Sequence, residues 1–309
     1  TLDFLNIQNI ETVFLFADAP IGKLSKSKRV LVDFKKTELL KPGQSEELVL
    51  TCSKEDYASF DDNNVLGLGN GWVLEKGEYS FFCGDNVRDN ELAGTMTLQE
   101  DTLVETLASA VKPVTPFKRL TSSGDYEDVP LKDDKNLEER MKYVPEEIAQ
   151  TGDKGIKLAD VKSGRNSMDE FIAQLEDEEL ALIIRGEGMS SPRVTAGTAS
   201  AFAGISKELT DMGVPSVCCD DGPSGMRLDS GKKAFAMPNG TCLACSFNEK
   251  LISKLYEYLA LEMRSNKVDN ILGPGMNIHR HPLNGRNFEY FSEDPLVTGK
   301  IACAQLEGL

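Results

Sequence analysis

The polar and apolar positions of this chain change rhythm once. Over the first hundred residues, short apolar runs alternate with turn signals. Thr12 to Phe16 is an apolar run ended by Ala19-Pro20 and Gly22, and Val30 to Phe34 follows. Lys41-Pro42-Gly43 marks a turn. Glu47 to Cys52 places Leu48, Leu50 and Cys52 on one face at period two, the spacing of a half-buried strand. A polar loop, Asp61 to Asn64, precedes Trp72-Val73-Leu74 and the run Glu78 to Cys83. Short strands at this rhythm predict a β-sandwich over residues 1–105.

Residues 106–165 break the pattern. Pro113, Pro116, Pro130 and Pro145 interrupt them, with charged clusters at 133–135 and 138–140. They read as a linker with room for one short helix, long for a compact domain. From 166 to 309 the pattern is α/β. Ser167 and Glu170 fit a capping box. They start a helix that runs through Phe171, Leu175, Leu180, Ile183 and Ile184 and ends at Gly186 or Gly188. Val214 to Cys219 reads as a buried strand that enters Asp220-Asp221-Gly222-Pro223-Ser224-Gly225. Asn248 caps a helix with Leu251, Leu255 and Leu259 on one stripe. Asn270-Ile271-Leu272 is a second strand, and Ile301 begins a further helix. Strand and helix in alternation predict a parallel sheet.

Charge narrows the partners. The chain of 309 residues carries 34 basic and 50 acidic side chains, a net charge of −16. This field repels a phosphate backbone, so nucleic acid is discounted, whereas a neutral sugar is indifferent to it. No run of eighteen apolar residues exists, so no membrane partner is expected. The start, Thr1-Leu2-Asp3-Phe4, shows no basic-then-apolar secretion signal and no initiator Met. Seven cysteines, an odd number, are expected to be free buried thiols of a reducing compartment, which points to the cytoplasm. Cys218-Cys219 with Cys242 and Cys245 could supply four zinc ligands, but adjacent residues of a strand point to opposite faces. No metal and no cofactor is expected.

Two stretches carry candidate chemistry. The first is Asp220 to Arg227. A carboxylate at the C-terminal mouth of a buried strand stands where parallel barrels bind ligands. It can accept two sugar hydroxyls while a guanidinium donates a fork of hydrogen bonds. An Asx turn, in which Asp221 bonds only nearby amides, fits the spacing equally well. The second is Leu272 to Pro295. His279 and His281 would share a face in a strand, but no third metal ligand is evident; His279 could serve as a general acid–base, and a hydrogen-bonded structural histidine is the expectation. Glu289, Glu293 and Asp294 could form a hydrolytic carboxylate pair. They could equally cap the next helix or pair with Arg280 and Arg286.

The motifs decide more than the spacing. Asp221-Gly-Pro-Ser-Gly225, then Pro238-Asn-Gly-Thr-Cys-Leu-Ala-Cys-Ser-Phe-Asn248, then Gly273 to Pro295 resemble, in order and approximate spacing, the family 3 glycoside hydrolases. Ala19-Pro-Ile-Gly-Lys23, Phe34-Lys-Lys-Thr37, Leu40-Lys-Pro-Gly43 and Lys76-Gly-Glu-Tyr79 resemble that family's fibronectin type III-like domain. The resemblance covers most of the chain except the linker. With the β-domain first, it is similar to the circularly permuted branch, and Thr1 falls inside that domain.

The resemblance implies a multidomain chain: a fibronectin type III-like β-sandwich followed by the first part of an α/β (TIM-like) barrel. It implies part of a retaining exo-acting β-glycosidase, a β-glucosidase being the leading expectation. Asp221 matches the aspartate that holds sugar hydroxyls in the −1 subsite, Arg286 matches a sugar-binding arginine, and Arg227 matches a second. The family's Lys-His pair does not occur in this sequence. Its nucleophilic aspartate and acid glutamate are expected outside the chain. The expected partners are a β-glucoside or oligosaccharide and the remaining part of its own polypeptide, with an oligomer possible. The alternative is a non-catalytic sugar-binding or scaffolding fragment.

Overall fold

A computed structural model describes residues 9–107, 113–131, 138 and 141–309. The opening residues 1–8 and most of the charged clusters at 133–135 and 138–140 lie outside the described residues. The chain divides into two compact units, Thr1–Val144 and Pro145–Leu309, the division falling inside the expected linker.

The first unit is a two-layer β-sandwich. Strands β1 (Thr12–Asp18), β2 (Val30–Lys36), β5 (Gly77–Gly84) and β6 (Asn90–Leu98) form one antiparallel sheet in the order β2-β1-β5-β6. Strands β3 (Ser59–Asp61), β4 (Gly71–Leu74) and β7 (Thr102–Thr106) form the other. The buried cluster of Ala17, Val32, Tyr57, Leu74 and Tyr79 draws on both sheets, with Met96, Leu98 and Val104 against it. Inward side chains of two facing sheets thus share one core. Burial pushes the Tyr79 phenol up to about 12, and its hydroxyl donates to the Glu75 carbonyl at 3.0 Å.

Two expectations need correction here. Glu47–Cys52 joins no ladder, although Leu48, Leu50 and Cys52 are its half-buried positions. The Asp33 carboxylate takes the place of a strand partner, accepting from the Thr51 amide at 2.8 Å. The segment 106–165 holds a hairpin, β8 (Lys118–Leu120) with β9 (Tyr126–Asp128). Arg119 bonds Asp62 and Glu127, each at 2.6 Å, and so ties that hairpin to the sandwich.

The second unit begins within the same segment. Helix α1 (Leu158–Lys162) is preceded by residues held by the buried Gln174, which accepts from the Ile156 amide at 3.0 Å and donates to its carbonyl at 2.7 Å. Ser167 and Glu170 form the expected capping box of α2 (Met168–Ala173). The single helix expected from Ser167 onward is instead two. Glu176 opens a fresh capping box with Glu179, which starts α3 (Asp177–Arg185). Gly186, at φ +67°, ends it.

Next come β10 (Ser200–Ala203), α4 (Lys207–Asp211), β11 (Ser216–Asp221), α5 (Gly240–Ala244), α6 (Glu249–Ser265), β12 (Asn270–Leu272) and α7 (Pro295–Gly308). The sheet order is β10-β11-β12. The pair β11–β12 is parallel, with Cys219 opposite Asn270 and Asp221 opposite Leu272. Strand β10 is antiparallel to β11, so the all-parallel expectation holds for one pair only.

Helix α6 links β11 to β12, is capped by Asn248, and packs along α7. Its buried stripe is Ile252, Tyr256, Leu259 and Met263; of the expected Leu251, Leu255 and Leu259 only Leu259 belongs to it, with Ile252 and Tyr256 in place of their leucine neighbours. Positions i, i+4, i+7 and i+11 trace a truer helical face. On its outer side Leu251, Tyr258 and Leu261 are exposed. Tyr258 and Leu261, with Phe235, line an open cavity of about 700 Å³. The outer edge of β12 pairs with no strand among the described residues.

Candidate functional site

The strand β11 ends in the tightest loop of the second unit. Asp221 pairs with Arg227 across it, the Arg227 amide donating to the Asp221 carbonyl at 2.9 Å. Gly222 has φ +146°, and a Cβ there would lie 1.7 Å from the Gly225 carbonyl oxygen. Only glycine fits such a position. The Ser224 carbonyl accepts from the Met237 amide at 2.9 Å, and the Pro223 carbonyl accepts from the Tyr256 hydroxyl at 3.3 Å. The loop is therefore held by its backbone, which leaves the Asp221 and Arg227 side chains at its mouth.

Those two side chains face each other across 3.7 Å, with Asp221 44% and Arg227 65% exposed. Arg227 also bonds Asp229 at 3.2 Å. The Asp221 carboxylate makes no short contact with its neighbouring amides, so its oxygens can accept from a ligand. The small cavity it lines with Met189, Gly197, Ala199, Arg227 and Asp229 holds about 60 Å³.

Arg286 enters from the segment after β12. It caps a 3-10 turn, Asn287–Glu289, and its Nε donates to the Glu289 carboxylate. Its guanidinium is held above the ordinary range, first by that hydrogen bond and charge, with a smaller contribution from Asp221. The structure thus brings Asp221 and Arg227 together at the end of β11, while Arg286 is engaged by Glu289 on the turn after β12. Thr241, at the start of α5, supports the turn. Its hydroxyl lies 3.0, 3.2 and 2.8 Å from the carbonyls of Asn287, Phe288 and Tyr290. Two other candidates have local partners, whereas the buried Nε2 of His279 makes no hydrogen bond among the described residues, against the expected hydrogen-bonded histidine. His281 Nδ1 accepts from the Leu283 amide at 3.1 Å, and Asp294 caps α7 through the Val297 amide at 3.0 Å. Among the described residues no group of three or more His, Cys, Asp or Glu side chains is placed to hold a metal ion. All seven cysteines are unpaired, but Cys242, Cys245 and Cys303 are exposed, against the expectation that they are buried. They sit on the solvent faces of helices rather than in strands.

Asp220 is the residue that motif reading passed over. It is 0% exposed, and neither carboxylate oxygen makes a hydrogen bond. Burial, first of all, pushes its carboxyl up to about 6. The nearby amides of Asp221 and Arg227 offset this only partly, and the charges of Asp221 and Asp229 add to it. The available signal was the continuous buried run it ends, since Cys218 and Cys219 on both faces of β11 are buried as well. A carboxyl whose folded pKa is raised contributes stability that is present below the unfolded pKa, near 4, and is lost as pH rises through about 6. Asp220→Asn is therefore expected to stabilise the second unit at pH 7 by on the order of 1–3 kcal/mol. It should also flatten the stability profile between about pH 4 and 6. Denaturant unfolding across that range checks both.

Comparison with known proteins gives the family. The model of the glycosyl hydrolase family 3 N-terminal domain matches residues 150–309, and that of a fibronectin type III-like domain matches residues 11–87. A β-glucosidase of Ruminococcus albus is 53% identical over 97% of this chain and 32% of its own length. β-Glucosidase A of Butyrivibrio fibrisolvens is 35% identical over 97% of this chain and 38% of its own. The crystal structure of a β-glucosidase from Paenibacillus barengoltzii superposes with a TM-score of 0.90 at 44% identity, covering 97% of this chain and 34% of that one. The chain thus spans about a third of the length of these relatives. With the hydrolase match over more than half of its residues, the sandwich match ahead of it, and close relatives along nearly its whole length, this chain belongs to glycoside hydrolase family 3.

Proposed function

We propose that the chain is the sugar-gripping portion of a retaining, exo-acting β-glucosidase that releases terminal non-reducing β-D-glucosyl residues. The observation that carries this reading is the exposed Asp221 carboxylate at the mouth of β11 with Arg227 beside it, and Arg286 is taken as a further donor. A carboxylate accepts from two adjacent sugar hydroxyls, and the guanidinium groups donate to others. The β-glucosidase names of the relatives support the substrate class. The second unit is then the first part of a (β/α) barrel that follows the sandwich in the chain. The nucleophilic aspartate and the acid glutamate lie in other parts of the longer polypeptide. The substrate is a neutral β-glucoside or oligosaccharide, and the unpaired cysteines support the cytoplasm as its compartment.

In such a mechanism two carboxyl groups about 5–5.5 Å apart perform a double displacement through a covalent glycosyl-enzyme. Asp221 does not take part in bond breaking. It fixes the ring so that the anomeric carbon meets the nucleophile. Proton NMR of early turnover by the longer polypeptide tests the stereochemistry. The first-formed glucose is expected as the β anomer, and α-glucose would overturn the retaining assignment.

A further inference from the structure

Helix α5 carries two exposed thiols, Cys242 and Cys245, on its solvent face. Leu243 and Ala244 between them are buried, so the helix turns its core face inward and both sulfur atoms outward. The end of the helix is tightened. The Ser246 amide donates to the Leu243 carbonyl at 3.1 Å and the Phe247 amide to the Ala244 carbonyl at 3.0 Å, both three-residue steps. These steps begin at Leu243; the turn from Cys242 to Cys245 itself is α-helical, the Cys245 amide donating to the Thr241 carbonyl at 3.0 Å. Helical residues three apart have Cβ atoms about 5–6 Å from each other. A disulfide needs about 3.5–4.5 Å, so closure asks for a tightening of this turn.

The same helix supports the Arg286 turn. Thr241, the neighbour of Cys242, meets the carbonyls of Asn287, Phe288 and Tyr290. Gly240 abuts the Glu289 carbonyl, where a Cβ would stand 2.3 Å away. Glu289 in turn holds Arg286. A change of pitch in α5 has no slack to absorb it before it reaches that turn.

We propose that Cys242 and Cys245 form a dithiol modification site for low-molecular-weight disulfides, and that its closure displaces the Arg286 turn; the second half rests on the sugar-site reading. One cysteine thiolate attacks a sulfur of the small disulfide and expels a thiolate. The other then attacks the protein sulfur of the mixed disulfide and expels the second. Two protein thiols are oxidised to one disulfide, the small disulfide is reduced to two thiols, and the two protons pass to the departing thiolates.

The test uses the longer polypeptide in a Cys303→Ser background, incubated with glutathione disulfide, alkylated after denaturation and analysed by peptide mass. The peptide holding both cysteines is expected to lose two hydrogens and to resist alkylation. KM for an aryl β-glucoside is expected to rise several-fold, with kcat changed less, and dithiothreitol should reverse both. A Cys245→Ser variant is expected to stop at a glutathione adduct on Cys242. Free, alkylatable thiols in the treated protein overturn the site, and closure without a change in KM overturns its coupling to Arg286. Failure of the sugar-site reading shows separately, as an Arg286→Ala variant of the reduced protein with unchanged kcat/KM.

Discussion

Asp221→Ala in the longer polypeptide is expected to lower kcat/KM for an aryl β-glucoside by about 100-fold, equivalent to about 2.7 kcal/mol of transition-state stabilisation. The argument starts from what the substitution leaves in place. The loop after β11 is held by the Arg227 amide on the Asp221 carbonyl, by Gly222 and Gly225 in conformations that only glycine adopts readily, and by Tyr256 and Met237 on its carbonyls. None of these needs the Asp221 side chain. Arg227 keeps its bond to Asp229. The loss is therefore confined to the acceptor that faces the sugar, whose hydrogen bonds strengthen as the ring distorts toward the transition state. Steady-state kinetics beside a thermal melt read the result. An unchanged kcat/KM, or a loss matched by unfolding, would return Asp221 to the Asx-turn role that the spacing also allowed.

The legibility of this molecule in its sequence follows the range of the interactions involved. Local signals were sufficient where one segment determines its own structure. The capping box of Ser167 and Glu170, the Asn248 cap and the glycine stop at Gly186 are all present. Signals that depend on a distant partner were not legible. Glu47–Cys52 has the alternation of a strand, but Asp33 meets its backbone in place of a ladder. Part of the stripe of α6 was misplaced because leucines at 251 and 255 outweigh Tyr256 in an apolar count, although Tyr256 is the buried one. The β8–β9 hairpin was hidden among prolines and charges, and an arginine bridge to Asp62 accounts for it.

The site shows the same division. Asp221, Arg227 and Arg286 were singled out because the motifs that contain them also contain the glycines that shape their loops, and their role in gripping sugar is the proposal made above. Asp220 was not, because its neighbour drew the chemistry and only its place at the end of a strand buried on both faces marks it as buried. Thr241 was not either. Its role is to meet three carbonyls some 46 to 49 positions later in the chain, which no local pattern announces.

The larger expected effect concerns the division of labour within the proposed enzyme. Each carboxylate close to Asp221 already has a different place. Asp229 pairs with Arg227, Glu289 with Arg286, and Asp220 is buried. None is left as a second open carboxylate for double displacement, which needs two facing the same bond. Binding by the remaining groups alone cannot supply the covalent step, because no nucleophile stands ready to form the glycosyl-enzyme bond. The most direct measurement compares release of the aryl group from an aryl β-glucoside by purified residues 1–309 and by the longer polypeptide. The account predicts steady turnover by the longer polypeptide and none by residues 1–309. Turnover by residues 1–309 alone would contradict it.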